Sequence, residues 1–204
     1  MQQWEMEQRE YVELSQAILS CYSCKMLGEI LRDNLHILTD LQLSLSMFQL
    51  WNHKIEVDQH FYNTLSPILK EFIKRFDREC NKSLGNITNY LGQMNVQDDE
   101  LWKVIEDKLV KERFYRYLPL EILIEAAHGM ACAQRGSKQF FDIVENVAIK
   151  HRLRLNSYHV KLLHDTYQRI QQGSNLFFEV LKNPQADANE IAGLEQHEQL
   201  KISG

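Results

Sequence analysis

The residues best suited to chemistry are cations that recur along the chain at a constant interval. Arg113 lies as far along the chain from Lys74 as Arg152 lies from Arg113. Each lies within a cluster of further bases. Together these bases are the candidates for RNA contact and are called here the basic edge: Lys70, Lys74, Arg75, Arg78, Lys111, Arg113, Arg116, Lys150, Arg152 and Arg154. A spaced row of cations can follow a phosphate backbone, so the pattern indicates a nucleic-acid contact.

A second interpretation of the basic edge needs no ligand. Cations are favourable at helix C-termini, where the macrodipole is negative, and every repeated helix would then show them. Acids such as Glu71, Asp77 and Glu112 are also interleaved with the bases. Phosphate contact and dipole compensation, or contact with a protein, therefore both remain open.

The cysteine and histidine side chains, which could ligate a metal, form no recognisable metal site. Cys21 and Cys24 have the spacing of half a zinc site, but a structural zinc usually takes four ligands, and two cysteines on one helix face also behave as small hydrophobes. Of the neighbouring histidines, His159 and His164 are five positions apart, a poor spacing for shared ligation. We expect no metal.

The sequence also contains no motif of a familiar enzyme class. Asp98, Asp99 and Glu100 form an acidic group, but a helix N-terminus favours acids in its first turn. There is no Gly-rich phosphate loop, GxSxG or HExxH pattern. We expect a chain that is not an enzyme and that binds no cofactor.

The elements that position these residues repeat along the chain. Residues 136–145 read GSKQFFDIVE, and residues 173–182 read GSNLFFEVLK, 37 positions later. An aliphatic residue precedes an aromatic one by 18 positions four times over. The pairs are Leu43 and Phe61, Leu84 and Trp102, Leu123 and Phe141, and Val160 and Phe178. Such a period is typical of stacked helical repeats, and we expect these aromatics to pack in the core between repeats.

The pattern predicts an all-α fold, an α-solenoid of about five stacked helical hairpins. Apolar residues at offsets of 0, 3, 7 and 10 from each aliphatic make one helical stripe. The repeat array covers residues 1–183, followed by a polar and flexible tail at 184–204. The predicted units are 10–34, 39–76, 82–113, 118–152 and 157–183.

Predicted caps place the helix boundaries within these units. Asp58, Asp98 or Asp99, Ser137 and Ser174 fall at matching places and are good N-cap residues. Gly136 and Gly173 precede two of them and can adopt the left-handed conformation that ends a helix. Pro119, as a first-turn proline, and Ser157, as an N-cap, are expected to open two further helices.

Composition and charge narrow the classes of function. The net charge is −5, and the tail alone carries four acids and one base. The remainder holds 22 of the 23 bases and 24 of the 28 acids, a net −2, so overall charge gives no nucleic-acid signal. No apolar segment of the sequence is long enough to span a membrane. Four cysteines in a helical chain of this size do not suggest a disulfide framework. No signal or transit peptide is visible at the N-terminus.

The repeat resembles a known class of organellar repeat proteins. A hairpin of about 37–40 residues with an aliphatic–aromatic pair opening its second helix resembles heptatricopeptide and octotricopeptide repeats, as in FAST-kinase-like and RAP-domain proteins. The segment LGNITNYLGQMNVQDDELWKVIEDKLV at 84–110 is most similar to such a unit. The resemblance implies RNA metabolism in mitochondria, although no RAP-like domain follows the repeats.

The leading hypothesis is a non-catalytic structural or adaptor subunit of a large assembly. A mitochondrial ribonucleoprotein, either the mitoribosome or an RNA-processing complex, fits the resemblance. The subunit would contact proteins, with rRNA or mRNA along the basic edge as a further candidate partner. The first alternative is a free-standing organellar RNA-binding repeat protein. The second is a protein-only scaffold in a respiratory or cytosolic complex. The resemblance implies a mitochondrial location, and a cytoplasmic location is the alternative.

Overall fold

The computed structural model describes the backbone of residues 3–185 and the side chains of residues 8–185. This part of the chain is all-helical and contains no strand, which confirms the predicted class for it. Its ten α-helices are α1 (Gln3–Leu19), α2 (Cys24–Asp33), α3 (Asp40–Asn52), α4 (Ser66–Arg75), α5 (Asn81–Gln93), α6 (Asp99–Glu106), α7 (Leu120–Cys132), α8 (Lys138–Lys150), α9 (Ser157–Ile170) and α10 (Asn175–Lys182).

One prediction concerns residues beyond this part. The tail expected at 184–204 lies outside the described residues except for Pro184 and Gln185. Within residues 3–185, no helix combines the length and the apolar character needed to cross a membrane.

The helices contact one another in two rows. The odd-numbered helices pack in chain order, α1 on α3, α3 on α5, α5 on α7 and α7 on α9. Along the second row, α4 packs on α6, α8 packs on α10, and the π-helical turns 61–65 and 107–111 contact α2 and α8. Nearly all of the buried apolar side chains form one continuous core cluster.

Side-chain caps begin most of these helices. Asp98, Ser137 and Ser174 accept the N–H groups of residues three positions on, as predicted. Asp58 accepts the N–H groups of His60 and Phe61 at 2.9 and 3.2 Å. These oxygens satisfy backbone donors that have no partner within the helix.

Two predicted helix starts are wrong by one position. Asn156, not Ser157, caps α9, because its side-chain oxygen accepts the N–H of His159 at 2.9 Å. Pro119 is the N-cap residue of α7 rather than a residue of its first turn. In both cases the expected residue type lies at the boundary, but the backbone becomes helical one residue away from the prediction.

Two helical segments that follow the predicted caps at Asp58 and Asp98 are interrupted. The segment 58–76 contains a π-helical turn at Phe61–Leu65, and the segment 98–113 contains one at Asp107–Lys111. Pro67 follows the first turn and has no N–H to donate to the carbonyl four residues earlier. The neighbouring N–H of Ser66 instead bonds the carbonyl of Phe61, five residues back.

The backbones of α5 and α7 come unusually close. A Cβ atom added to Gly92 would lie 1.9 Å from the carbonyl oxygen of Gly129. A Cβ atom added to Gly129 would lie 2.5 Å from Cα of Asn89. Because both obstacles are backbone atoms, no side-chain rotation could relieve them.

Adjacent helices of the second row are also joined by hydrogen bonds between a glutamate of one helix and the N-cap serine of the next. Glu106, at the end of α6, accepts the backbone N–H of Ser137 at 3.0 Å. Glu145 of α8 accepts both the N–H and the hydroxyl of Ser174, at 3.3 and 2.5 Å. The starts of α8 and α10 are therefore each bonded to the helix that precedes them in the second row.

Three of the four repeated aromatics are buried, as predicted. Phe61, Trp102 and Phe141 are at most 4% exposed. Phe178 is partly exposed and, with Val160 and Leu181, lines a surface pocket of about 760 Å³ at the end of the two rows. Among the described residues, no following hairpin lies there to cover it.

We expect Gly92→Ala and Gly129→Ala each to destabilise the fold. In an isolated helix, Gly→Ala would add about 0.5–1 kcal/mol of stability. Here the new methyl group would force α5 and α7 apart, and overpacking of this kind costs about 1–3 kcal/mol. Urea denaturation measures the change. Gln93→Ala, an exposed neighbouring position on α5, is the control, with an expected change within about 0.5 kcal/mol. Stabilisation by either glycine substitution would contradict the close approach.

Candidate nucleic-acid interface

The basic edge lies where helices of the second row end and connect to the odd-numbered row. Lys74 and Arg75 end α4, and Lys150 ends α8. Three 3₁₀ turns follow these helices, at Arg78–Cys80, Phe114–Arg116 and Arg152–Arg154. Each turn contributes at least one arginine, so the connections carry the edge as much as the helices do.

Lys70 is already engaged by carboxylates. Its Nζ lies 3.0 Å from Glu100 and 3.5 Å from Asp98, and its side chain is 19% exposed. Burial alone would lower the pKa of Lys70, but the two carboxylates outweigh it and raise the pKa. Lys70 therefore joins α4 to the start of α6 and is poorly placed for a ligand.

Three more cations form exposed ion pairs within their own helical turn. Lys74 and Arg75 both contact Glu71, at 3.1 and 3.5 Å, and Lys111 contacts Asp107 at 2.7 Å. Exposed pairs of this kind contribute about 0–1 kcal/mol, so a stronger anion could displace the carboxylates. These three bases agree best with the dipole interpretation, because each ends a helix and is paired locally.

Two arginines of the edge lie over aromatic rings. The Arg78 guanidinium is 4.6 Å from the centroid of the Tyr117 ring. The Arg116 guanidinium is 5.9 Å from that of Tyr115. Such contacts hold the planar guanidinium groups in place. The Nε of Arg116 also donates to the Tyr115 hydroxyl at 3.4 Å.

The remaining bases have no acidic partner among the described side chains. Arg113, Lys150, Arg152 and Arg154 form no ion pair there. Arg113 has a left-handed backbone, with φ of 57°. The Nε of Arg152 is buried and has no hydrogen-bond partner within residues 8–185.

Part of the edge converges on one pocket, called here the Arg116 pocket, with a volume of about 540 Å³. Its basic side chains come from the 114–116 turn, the end of α8 and the 152–154 turn. The lining residues are Tyr115, Arg116, Leu118, Pro119, Leu120, Val147, Lys150, His151 and Arg154. Three of them are members of the basic edge, and no aspartate or glutamate is among them.

The N-terminus of α7 opens into the same pocket. Pro119 and Leu120 line it, and Pro119 has no side-chain acceptor for the first N–H groups of the helix. The first intrahelical bond runs from the N–H of Leu123 to the carbonyl of Pro119 at 3.0 Å. Free N–H groups make this end of a helix electropositive, which attracts anions and repels cations.

Three arginines of the predicted basic edge form a second evenly spaced set, whose constant interval the sequence prediction did not use. Arg78, Arg116 and Arg154 also recur at a constant interval, and they lie in corresponding 3₁₀ turns. The set Lys74, Arg113 and Arg152 does not line the Arg116 pocket. Tyr115 and Pro119 were also missed as site residues, because neither carries charge.

The cysteines lie apart from this edge. Cys24 is buried and donates its S–H to the carbonyl of Glu56 at 3.3 Å. Burial is the main cause that raises the pKa of Cys24 to about 11. Such a thiol stays protonated at neutral pH, unlike a reactive or metal-binding thiolate. Among the described residues, no group of three or more His, Cys, Asp or Glu side chains could hold a metal ion.

No protein-family model matches the chain, and no curated protein matches it either. The resemblance to heptatricopeptide-like repeats therefore stays a prediction from the repeat pattern.

Asp98 offers a pH test of how firmly Lys70 is held. Burial alone would raise the pKa of Asp98, but hydrogen bonds from Ser66 and the Leu101 N–H, with the Lys70 charge, lower it. Since the folded pKa is depressed, this carboxylate stabilises the fold above its unfolded pKa of about 3.9, and the contribution disappears as the pH falls through the folded pKa.

We expect Asp98→Asn to destabilise the protein by about 1–2 kcal/mol at pH 7, because a hydrogen-bonded charge is lost while the cap remains. Thermal unfolding measured from about pH 7 to about pH 2.5 should show the gap to wild type closing below about pH 4. Glu100→Gln, which removes the 84%-exposed partner of Lys70, is the control and should change little. A gap that stays constant with pH would contradict the ion pair.

Proposed function

We propose that this protein is a non-catalytic array of about five stacked helical hairpins that binds RNA phosphates through its basic edge, as a subunit of a ribonucleoprotein. The two rows of helices support the stacked arrangement, because each odd-numbered helix packs on the helix two positions along the chain. Coupling between nearest neighbours is how repeat arrays are stabilised.

The observation that carries the RNA proposal is the setting of the Arg116 pocket. Compensation of the helix dipole accounts for Lys150 at the end of α8, but it does not account for Arg116, beside the N-terminus of α7. Cations gathered around an electropositive helix end are unfavourable, unless an anion bound between the cations and the helix end offsets the repulsion. Phosphate is the anion that nucleic acids supply along their whole length.

The proposal concerns backbone contact rather than base reading. Phosphate contacts position a protein on nucleic acid without selecting sequence. Five hairpins are also few for an array that reads one base per repeat. We therefore propose a subunit that holds RNA in place within an assembly, and the repeat resemblance favours a mitochondrial one.

A protein-only scaffold is the second candidate. It is favoured by the cations that are already paired, Lys70, Lys74, Arg75 and Lys111, which need no phosphate. The partly exposed Phe178 and its pocket at the end of the rows also offer apolar surface for a protein neighbour. A free-standing RNA-binding protein would share the RNA contact but not the assembly.

Charge reversal within the Arg116 pocket tests the RNA proposal. We expect the triple variant Arg116→Glu, Lys150→Glu, Arg154→Glu to bind a single-stranded RNA 20-mer at least about tenfold more weakly. Loss of three contacts should also reduce the slope of log affinity against log salt by about 2, through lost counterion release. Fluorescence anisotropy at several salt concentrations measures both quantities.

Two matched triples control for the change in total charge. Lys25, Lys103 and Arg169 are exposed cations outside the basic edge, and their reversal should leave RNA affinity within about threefold. Reversal of Lys74, Arg113 and Arg152 should have an intermediate effect, because Lys74 is paired with Glu71. Equal weakening by all three triples would show that only net charge matters.

Sedimentation in a sucrose gradient of cell extract distinguishes subunit from free protein. Migration with a large particle that RNase treatment disperses would support the ribonucleoprotein subunit. Migration near the 24.1 kDa of the chain would favour the free-standing protein. A large particle that resists RNase, together with a pocket triple that stays bound to it, would favour the protein-only scaffold.

A further inference from the structure

We infer that the Arg116 pocket is a binding site for the terminal phosphate monoester of an RNA strand, rather than one more contact along the backbone. The inference rests on the proposed function and names the part of the RNA that this site takes. Charge, hydrogen-bond donors and shape carry the argument separately.

The charge of the pocket exceeds what a phosphodiester needs. Arg116, Lys150 and Arg154 line it together with His151, and no carboxylate is in the lining. A phosphodiester carries a single negative charge, whereas a phosphate monoester carries about −1.5 to −2 at pH 7. Three permanent cations around one pocket match the monoester.

The start of α7 adds free backbone donors beside this charge, and Leu120 of that turn lines the pocket. The N–H groups of Leu120, Glu121 and Ile122 precede the first intrahelical bond of α7, and no described side chain caps them. Glu121, the acid of this first turn, is exposed and does not line the pocket. A terminal phosphate has three non-bridging oxygens to accept such donors, while a diester has two.

The shape of the pocket suits the end of a strand. Its volume of about 540 Å³ lies within the about 300–1,000 Å³ of sites that enclose small ligands. Leu118, Leu120 and Val147 give it an apolar wall, and the half-buried ring of Tyr115 lies beside the Arg116 guanidinium. One nucleotide fits such a space, with its phosphate on the cations and its base against the apolar wall or the ring.

The corresponding turn in the preceding repeat shows what is particular to this site. Arg78, the counterpart of Arg116 in that turn, stacks on Tyr117, and the side chain of Asn81 donates to the carbonyl of Tyr117 at 2.9 Å. That turn is tied to the next one, and Arg78 does not line the Arg116 pocket. Arg78 therefore takes part in a contact between two hairpins, whereas Arg116, the next arginine of the spaced set, lines a pocket.

Binding of RNAs that differ only at their termini tests the inference. We would measure a 12-mer of one sequence with a 5′-phosphate, with a 3′-phosphate, or with hydroxyls at both ends, by fluorescence anisotropy from an internal label. We expect one phosphorylated form to bind at least about tenfold more tightly than the hydroxyl form. AMP and inorganic phosphate, added up to millimolar concentration, are the competitors.

Conservative variants assign that preference to the pocket. Lys150→Gln and Arg154→Gln should each reduce the preference to about twofold or less, because each should weaken binding of the phosphorylated RNA by a larger factor than binding of the hydroxyl RNA. Arg154→Lys should restore part of the preference, and Lys103→Gln, outside the pocket, should retain all of it. Melting temperatures of all variants show that they fold.

The outcomes separate this inference from the proposed function. Equal affinity for all three RNAs would overturn the terminal-phosphate site while leaving backbone binding intact. Failure of every RNA to bind would overturn both. Binding of AMP as tight as that of the phosphorylated RNA would show a nucleotide site instead of a strand-end site. A preference that persists in both glutamine variants would place the terminal phosphate elsewhere.

Discussion

The close approach of α5 and α7 at Gly92 and Gly129 is the contact on which the rest of the arrangement depends. Backbone lies against backbone there, so the spacing of the two helices cannot adjust by a change of rotamer. The odd-numbered row is thereby fixed at its middle, and the helices of the second row are tied to one another by caps such as Glu106 to Ser137. The turns that carry Arg116 and Arg154 are held at the spacing that this packing sets.

Much of the helical framework could be predicted from the sequence, because it depends on local chemistry. Ser137 and Ser174 cap helices, and Gly136 and Gly173 take positive φ values of 92° and 110°, as their residue types suggested. The π-helical turns could not be predicted from periodicity, since an α-helical stripe assumes about 3.6 residues per turn throughout. The close approach at Gly129 could not be predicted either, because a glycine within a helix does not indicate which neighbouring backbone will pack against it.

The candidate site was predicted in part and for a clear reason. Cations at a fixed spacing are visible in a sequence, so all three pocket bases of the basic edge were among the predicted candidates. Which of them already have a carboxylate partner depends on rotamers and on neighbouring helices, as Lys70 shows with Asp98 and Glu100. The helix N-terminus at Pro119 was predicted to within one residue, but its place in the same pocket as Arg116, Lys150 and Arg154 depends on how the helices pack.

The contacts of the buried Tyr167 side chain bear on local unfolding of the hairpin formed by α9 and α10. The Tyr167 hydroxyl donates to the carbonyl of Phe141 at 2.5 Å, and the Tyr167 ring contacts those of Phe141 and Phe177, so α9 is held on one side by α8 and α10. Phe178 of α10 is partly exposed, and no described helix beyond α10 covers it. Among the described residues, opening of the hairpin formed by α9 and α10 breaks contacts with one neighbouring hairpin instead of two, so we expect its amide hydrogens to exchange with solvent faster than those of α5 and α7.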